Sequence, residues 1–156
     1  MPHLRRYGLV ALAWGLLQTS GCGSGDEIQL TDVAGNVTFA GQPVVYGNIE
    51  FAPDTGKQHS GPAGTAEIVN GQYDTAQAGR GVVPGSHLVR ITAYEDRPAP
   101  GPDDETLPSD AKPPLFSGYT IEADVSGPAH DFEVPESARG FDIFKSQQSV
   151  QPGNAP

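Results

Sequence analysis

The chain contains only one cysteine, one tryptophan and nine lysine or arginine residues among its 156 residues. A single cysteine excludes a disulfide within the chain, so no covalent cross-link stabilises the fold. Nine basic residues against 19 acidic ones leave a net charge of −10. This charge disfavours binding to nucleic acid phosphates and anionic lipid headgroups, so we expect no nucleic acid partner. The length favours one domain.

Long apolar segments are also missing. The longest apolar segment extends from Gly8 to Leu17 and covers ten residues. This is about half of the roughly 20 residues that a membrane-spanning helix needs. Arg5 and Arg6 precede it, and small residues follow it up to Cys22. This order of a basic start, an apolar middle and a small-residue junction is typical of secretory signals. The sequence therefore predicts a signal peptide over residues 1–21.

Cys22 follows the predicted cleavage point directly. An exposed lone thiol is a liability in an oxidising compartment, so a cysteine at this position calls for a role. The segment 17–22, Leu-Gln-Thr-Ser-Gly-Cys, resembles a bacterial lipobox, in which small residues precede a cysteine that is lipidated and becomes the N-terminus. Thr19 departs from the aliphatic residue that is usual there. The resemblance implies an exported lipoprotein that is anchored to a membrane through Cys22, on the periplasmic or cell-surface side. The alternatives are an ordinary signal peptide with a free thiol nearby and a short anchor helix.

From Val33 onward the sequence alternates between apolar and polar residues with a period of two, interrupted by Gly, Pro and Asn. This pattern predicts strands with one face toward a core. Residues 22–32 are predicted to form a tether, residues 33–136 a β-sandwich domain of about seven strands, and residues 137–156 a disordered tail without helix. Val45 is expected to begin the inward set of the second strand. The residues predicted to be buried together are Val37, Phe39, Ile49, Phe51, Ile68, Tyr73, Val89, Ile91, Ile121 and Val125.

The clearest turn signal is the segment 69–72, Val-Asn-Gly-Gln. Asn-Gly tolerates positive φ at both central positions, so it favours a two-residue hairpin of type I′. The opposed residues in that register are Ile68 and Tyr73, Ala66 and Thr75, and the like-charged Glu67 and Asp74. The charged pair is mildly unfavourable, because like charges that face each other across two strands repel.

Residues 95–114 interrupt the alternation with six prolines and several acidic residues. Proline cannot donate a backbone hydrogen bond and the acids repel one another, so the sequence predicts a long exposed loop. The carboxylates of this candidate cation-binding loop are Asp103, Asp104, Glu105 and Asp110. They suit calcium chemically, although no Asp-x-Asp-x-Asp-Gly pattern occurs. Tyr94 borders the loop and, like Tyr46, is predicted to point outward, where the rings could stack on a sugar. A glycan- or calcium-binding module is therefore the alternative to a structural one.

Three fragments resemble one superfamily in order and spacing. They are residues 33–44 (VAGNVTFAGQPV), 70–73 (NGQY) and 83–91 (VPGSHLVRI). They are similar to the GxVTxxGxPV opening, the DGRF hairpin and the PPGxYxVxI strand of the prealbumin-like, or carboxypeptidase regulatory-like, β-sandwiches, with His87 at a position where that family often has Tyr. The resemblance implies an all-β, seven-stranded transthyretin-like sandwich. Such domains are common as lipid-tethered exported proteins of planctomycete-type bacteria.

No catalytic site is predicted. A Gly-x-Ser-x-Gly motif is absent, and the histidines after the signal, His59, His87 and His130, are isolated in sequence. His87 falls on the inward face, which favours a hydrogen-bonded core histidine over a ligand. Two enzyme families share the prealbumin-like fold. Hydroxyisourate hydrolases end in Tyr-Arg-Gly-Ser, and intradiol dioxygenases use a His-x-His pair. This chain has neither motif. We expect a non-enzymatic structural or binding module without cofactor or bound metal, whose partner is an envelope protein or a glycan. A hydrolase of the hydroxyisourate type is the weakest alternative.

The lone cysteine generates a prediction about the anchor. Mass spectrometry of membrane-fraction protein should show a mature N-terminus at Cys22 with two or three acyl chains, because one chain alone holds a protein only marginally. Cys22→Ser should release the protein or leave its precursor uncleaved. A mature N-terminus at another residue, with a free Cys22 thiol, would contradict the prediction.

Overall fold

A computed structural model describes residues 28–77, 79–97 and 112–150. These residues form nine strands, one α-helix and two 3-10 helices. The strands are β1 (Ala34–Phe39), β2 (Gln42–Pro43), β3 (Tyr46–Pro53), β4 (Gly64–Val69), β5 (Gln72–Asp74), β6 (Gly79–Arg80), β7 (Gly85–Tyr94), β8 (Phe116–Val125) and β9 (Phe132–Val134). The 3-10 helices are Thr55–Lys57 and Glu136–Ala138, and the helix α1 is Ile143–Val150. The protein is mostly β, which confirms that part of the predicted fold class.

The strands form one curled sheet in the order β2-β1-β5-β4-β3-β7-β8. β6 also pairs with β4, and β9 pairs with β1. The pairs are antiparallel, with the exception of β9, which runs parallel to β1. The curl brings distant strands together: the ring centroids of Phe39 on β1 and Phe116 on β8 lie 5.1 Å apart. Those of Phe51 on β3 and Phe132 on β9 lie 6.0 Å apart. The inner face of the sheet therefore packs on itself.

The hairpin between β4 and β5 follows the predicted turn. Asn70 and Gly71 have φ values of 51° and 78°, as a type I′ turn requires. Ile68 pairs with Tyr73 as predicted. The predicted pairing of Ala66 with Thr75 is wrong, because β5 ends at residue 74 and Ala66 pairs with Gly79 of β6. Thr75 instead exchanges hydrogen bonds with Val33: its hydroxyl accepts from the Val33 N–H at 2.9 Å.

The core consists of the residues that point inward from the strands, at every second position. Nine of the ten residues predicted to be buried together are buried, and the tenth, Ile121, is half-buried against them. Phe116, which was not among the predicted core residues, is fully buried. Val45, which was expected inward, is 49% exposed, whereas Val44 is buried. The reason is local: β2 ends at Pro43, and the Val44 N–H donates to the Val37 carbonyl, so Val44 faces the core before β3 begins.

The end of the described chain differs from the predicted disordered tail. Ala138 is buried. Asp142 forms a parallel β-bridge with Ser117 of β8. Its carboxylate accepts a hydrogen bond from the Phe144 N–H at 2.9 Å, next to the start of α1. Phe141 packs against Tyr119, with ring centroids 5.7 Å apart. These contacts hold residues 138–142 against the sheet, whereas Phe144 of α1 is 70% exposed. Residues 151–156 lie outside the described part. Within the described residues, no helix combines the length and apolar character needed to cross a membrane.

His87 is a buried polar residue within the core. It points inward from β7 with 1% exposure, and its Nδ1 lies 2.8 Å from the Gly85 carbonyl oxygen. Its Nε2 has no hydrogen-bond partner among the described residues, so the prediction of a hydrogen-bonded core histidine is confirmed for one nitrogen only. The His59 ring lies 5.2 Å from it, centroid to centroid, and Asp124 is the nearby carboxylate. Burial lowers the pKa of His87 below its usual 6.5, and the His59 charge lowers it further.

Phe51 generates a prediction about stability. Its ring is fully buried and packs against Tyr73, His87 and Phe132. Phe51→Ala should lower the free energy of unfolding by about 3–5 kcal/mol, because it leaves a cavity among rings that cannot collapse freely. Thr38→Ala, at a half-buried position of β1, should cost less than about 1 kcal/mol. Urea unfolding of both variants checks this, and equal losses would contradict the assigned faces.

His87 generates a prediction about pH. Because its pKa is lowered in the folded state, the unfolded chain takes up the proton first as the pH falls below 6.5. The contribution of His87 to stability is therefore complete above pH 6.5 and is lost toward lower pH, by at most about 1.4 kcal/mol per pH unit. Urea unfolding at pH 7.5 and 5.5 should show a larger loss for the wild type than for His87→Phe. Identical losses in both proteins would show that other groups account for the acid sensitivity.

Candidate functional site

Five residues form a row across the outer face of the sheet. Each is paired directly with the next across neighbouring strands, from β1 through β5, β4 and β3 to β7. This cross-strand row consists of Asn36, Gln72, Val69, Tyr46 and Tyr94. Four inter-strand spacings make it about 19 Å long, at about 4.8 Å for each spacing. The first three residues are exposed and the two tyrosines are half-buried, so the row is open to solvent.

The two tyrosines lie side by side at one end of the row. Their ring centroids are 6.2 Å apart and the ring planes are inclined by 42°. The sequence predicted that both point outward, and the structure brings them together because Tyr46 begins β3 and Tyr94 ends the antiparallel β7. Val69 lies on the other side of Tyr46 and is 37% exposed. This end of the row is therefore a small apolar surface with phenol groups.

Arg97 and Glu67 border the tyrosine end. The Arg97 guanidinium lies over the Tyr46 ring, with Cζ 5.1 Å from the centroid, and its Nη2 donates to Glu67 Oε1 at 2.8 Å. The Arg97 side chain is 64% exposed. Exposed ion pairs contribute at most about 1 kcal/mol, and exposed cation–π contacts contribute about as much. The guanidinium can therefore be displaced from the ring at small cost.

The environment of Tyr46 keeps its phenol protonated. A hydrogen bond to the Glu67 carboxylate raises the pKa of Tyr46 above its usual 10, and burial and the charge of Glu67 raise it further. Arg97 acts in the opposite direction. At neutral pH Tyr46 is accordingly a neutral hydrogen-bond donor and acceptor. The arrangement suits binding and does not provide a general base.

A groove of about 520 Å³ continues the row toward β1. Glu67 and Val69 line it at the tyrosine end. The remaining lining carries four side-chain amides, which belong to Asn36, Asn70, Gln72 and Gln77. An amide group donates through its nitrogen and accepts through its oxygen. The groove and the row thus form one outward surface of amides, phenols and a few apolar groups, with the carboxylates of Glu67 and Asp74 in the groove.

The predicted opposition of Glu67 and Asp74 is resolved within the protein. Glu67 is paired with Arg97. The Asp74 carboxylate accepts from the Ala76 N–H at 2.9 Å and from Gln77 Nε2 at 2.7 Å. Both carboxylates therefore have donors, and neither needs a cation between them. Sequence reasoning missed Arg97, because nothing in the sequence shows that it reaches back over β3.

The candidate cation-binding loop lies mostly outside the described residues. Asp103, Asp104, Glu105 and Asp110 all fall in the range 98–111 and stay predictions. The two ends of the loop are joined, because Lys112 Nζ lies 2.7 Å from Asp96 Oδ2 and 3.7 Å from Glu95 Oε2. Cys22 also lies outside the described part. Among the described residues, no group of three or more His, Cys, Asp or Glu side chains could hold a metal ion.

Comparisons with known proteins do not assign the chain to a family. No family model matches it, and neither the curated proteins nor the solved structures contain a significant match.

Proposed function

We propose that the chain is a lipid-anchored, non-enzymatic module of the cell envelope that binds a partner through the cross-strand row. The observation that carries this proposal is the row itself, in which two paired tyrosines and two amide residues lie in line on an outward face. Aromatic and amide groups on a rigid sheet provide contact area at a low cost in side-chain entropy. Tyrosine is also enriched among the residues that dominate binding energy.

The position of the row relative to the N-terminal segment supports an anchored binding module. Thr31 pairs with Val82, and Gly64, the first residue of β4, packs so closely against the Val82 side chain that no Cβ would fit. The row crosses β4 at Val69, five residues later. At about 3.4 Å per residue, the row lies roughly 17 Å from the point where the tether joins the sheet. The row therefore lies clear of the point where the tether meets the sheet.

The non-enzymatic part of the proposal is supported by the chemistry of the row. Its side chains are amides, phenols and one valine, and the phenol of Tyr46 has a raised pKa. Such groups hydrogen-bond and stack, and the raised pKa of Tyr46 keeps its phenol from acting as a base at neutral pH.

We further propose that the curled sheet is a variant of the prealbumin-like sandwich. Two observations support this assignment. Seven of the nine strands among the described residues have three residues or more, since only β2 and β6 have two. The three resembling fragments also coincide with β1 and β2, the β4–β5 hairpin, and the first part of β7.

The binding surface can be tested with cell-envelope material. Full-length protein in detergent should co-sediment with purified envelope fragments. Tyr46→Ala/Tyr94→Ala should weaken this binding by about tenfold or more, because tyrosines are among the residues whose truncation costs most at binding surfaces. Leu88→Ala is the matched control, since Leu88 lies on the outer face of the same strand at its other end. Equal binding of the wild type and the double variant would refute the row as the binding surface.

A further inference from the structure

We infer that the ligand of the cross-strand row is a neutral glycan, an oligosaccharide without acidic groups. This inference rests on the proposed function and specifies the chemical class of its partner. Sugar hydroxyls are both donors and acceptors of hydrogen bonds, and so are the amides of Asn36 and Gln72 and the phenols of Tyr46 and Tyr94. The apolar faces of sugar rings pack on aromatic rings, which the tyrosine end supplies.

The charges around the row select against acidic ligands. The cation nearest the row is Arg97, and its charge is compensated by Glu67 at 2.8 Å. Asp74 also lines the groove, and the chain as a whole carries a net charge of −10. Carboxylated, sulfated or phosphorylated ligands would be disfavoured by this net negative charge and by the Asp74 carboxylate. An uncharged ligand would meet no such penalty.

The backbone around the row selects against an extended peptide. A peptide that binds a sheet usually adds to an edge, where it pairs with free N–H and C=O groups. The row crosses β5, β4 and β3, which are interior strands of the sheet, and their backbone groups at Gln72, Val69 and Tyr46 are already paired on neighbouring strands. The surface therefore offers side-chain hydrogen bonds and not a strand edge. A chain of hydroxyl-bearing rings matches this pattern better than a peptide does.

The dimensions suit a short chain of sugars. The row is about 19 Å long at the usual inter-strand spacing, which accommodates several rings in line. The groove of about 520 Å³ is open to solvent along the amide half of the row. At the other end the Arg97 guanidinium covers Tyr46 and is held by one exposed ion pair. A ring that stacks on Tyr46 takes the place of this guanidinium, while Tyr94 remains beside it.

The inference is tested by probing an array of neutral oligosaccharides of increasing length with the full-length protein in detergent. The same array carries sulfated and uronic-acid counterparts. Neutral glycans should bind, and the acidic counterparts should bind at least tenfold more weakly. Calorimetry on the best neutral ligand should show a loss of at least tenfold for Tyr46→Ala/Tyr94→Ala. Asn36→Ala/Gln72→Ala should lose about threefold to tenfold, because each amide contributes a hydrogen bond. Leu88→Ala should bind as the wild type does.

If Tyr46→Ala/Tyr94→Ala does not fold, Tyr46→Phe/Tyr94→Phe still tests the inference, because it retains both rings. It should retain most of the binding, whereas loss of the rings should abolish it. Binding of acidic glycans in preference to neutral ones, or binding that the row variants leave unchanged, would overturn the inference. If envelope binding depends on the tyrosines but no neutral glycan binds, the glycan assignment is wrong and the binding module stands. If neither envelope binding nor glycan binding depends on the two tyrosines, both proposals fail.

Discussion

Eight consecutive residue pairs join β3 to β7, from Tyr46 and Tyr94 at one end to Pro53 and His87 at the other. This antiparallel pairing sets which side chains meet on both faces of the sheet, because residues directly opposite each other lie on the same face. On the inner face it joins Ile49 to Ile91. On the outer face the same register joins the two tyrosines. A shift by one residue would exchange the faces, exposing the core and burying the tyrosines.

The two ends of this pairing have different properties. At the end that contains Pro53, the buried His87 has one nitrogen without a partner among the described residues, and a neighbouring histidine lies 5.2 Å away, so the core there is sensitive to protonation. At the end of the pairing that contains Tyr46, the polar side chains are neutral or paired and face solvent. The physical difference is exposure: a polar group in the core must find a donor or acceptor within the protein, whereas water satisfies the outer groups. A binding surface is better placed at the second end, because its polar groups already face solvent.

The curl of the sheet provides the rigidity that the row requires. Phe39 and Phe116 meet across the inner face, and so do Phe51 and Phe132, which locks the first strands against the last. The row crosses five strands of this curled sheet, so its side chains hold fixed spacings without help from a disulfide. Arg97 is the movable part of the surface, because its side chain is largely exposed and is held over Tyr46 by a cation–π contact and an ion pair with Glu67.

The sequence by itself determined the strand-rich class, the inward faces, the type I′ hairpin at Asn70 and Gly71, and the outward direction of Tyr46 and Tyr94. These are local properties, since period-two alternation and an Asn-Gly turn act over a few neighbouring residues. The pairing of β3 with β7 was decided only by the tertiary structure, because its residues are far apart in the chain and many strands of similar pattern could pair. The same holds for the row, for Arg97 over Tyr46, and for the packing of Phe141 on Tyr119 that turns a polar segment into an ordered one. Such contacts depend on which surfaces the folded sheet brings together, and no local pattern in the sequence encodes them.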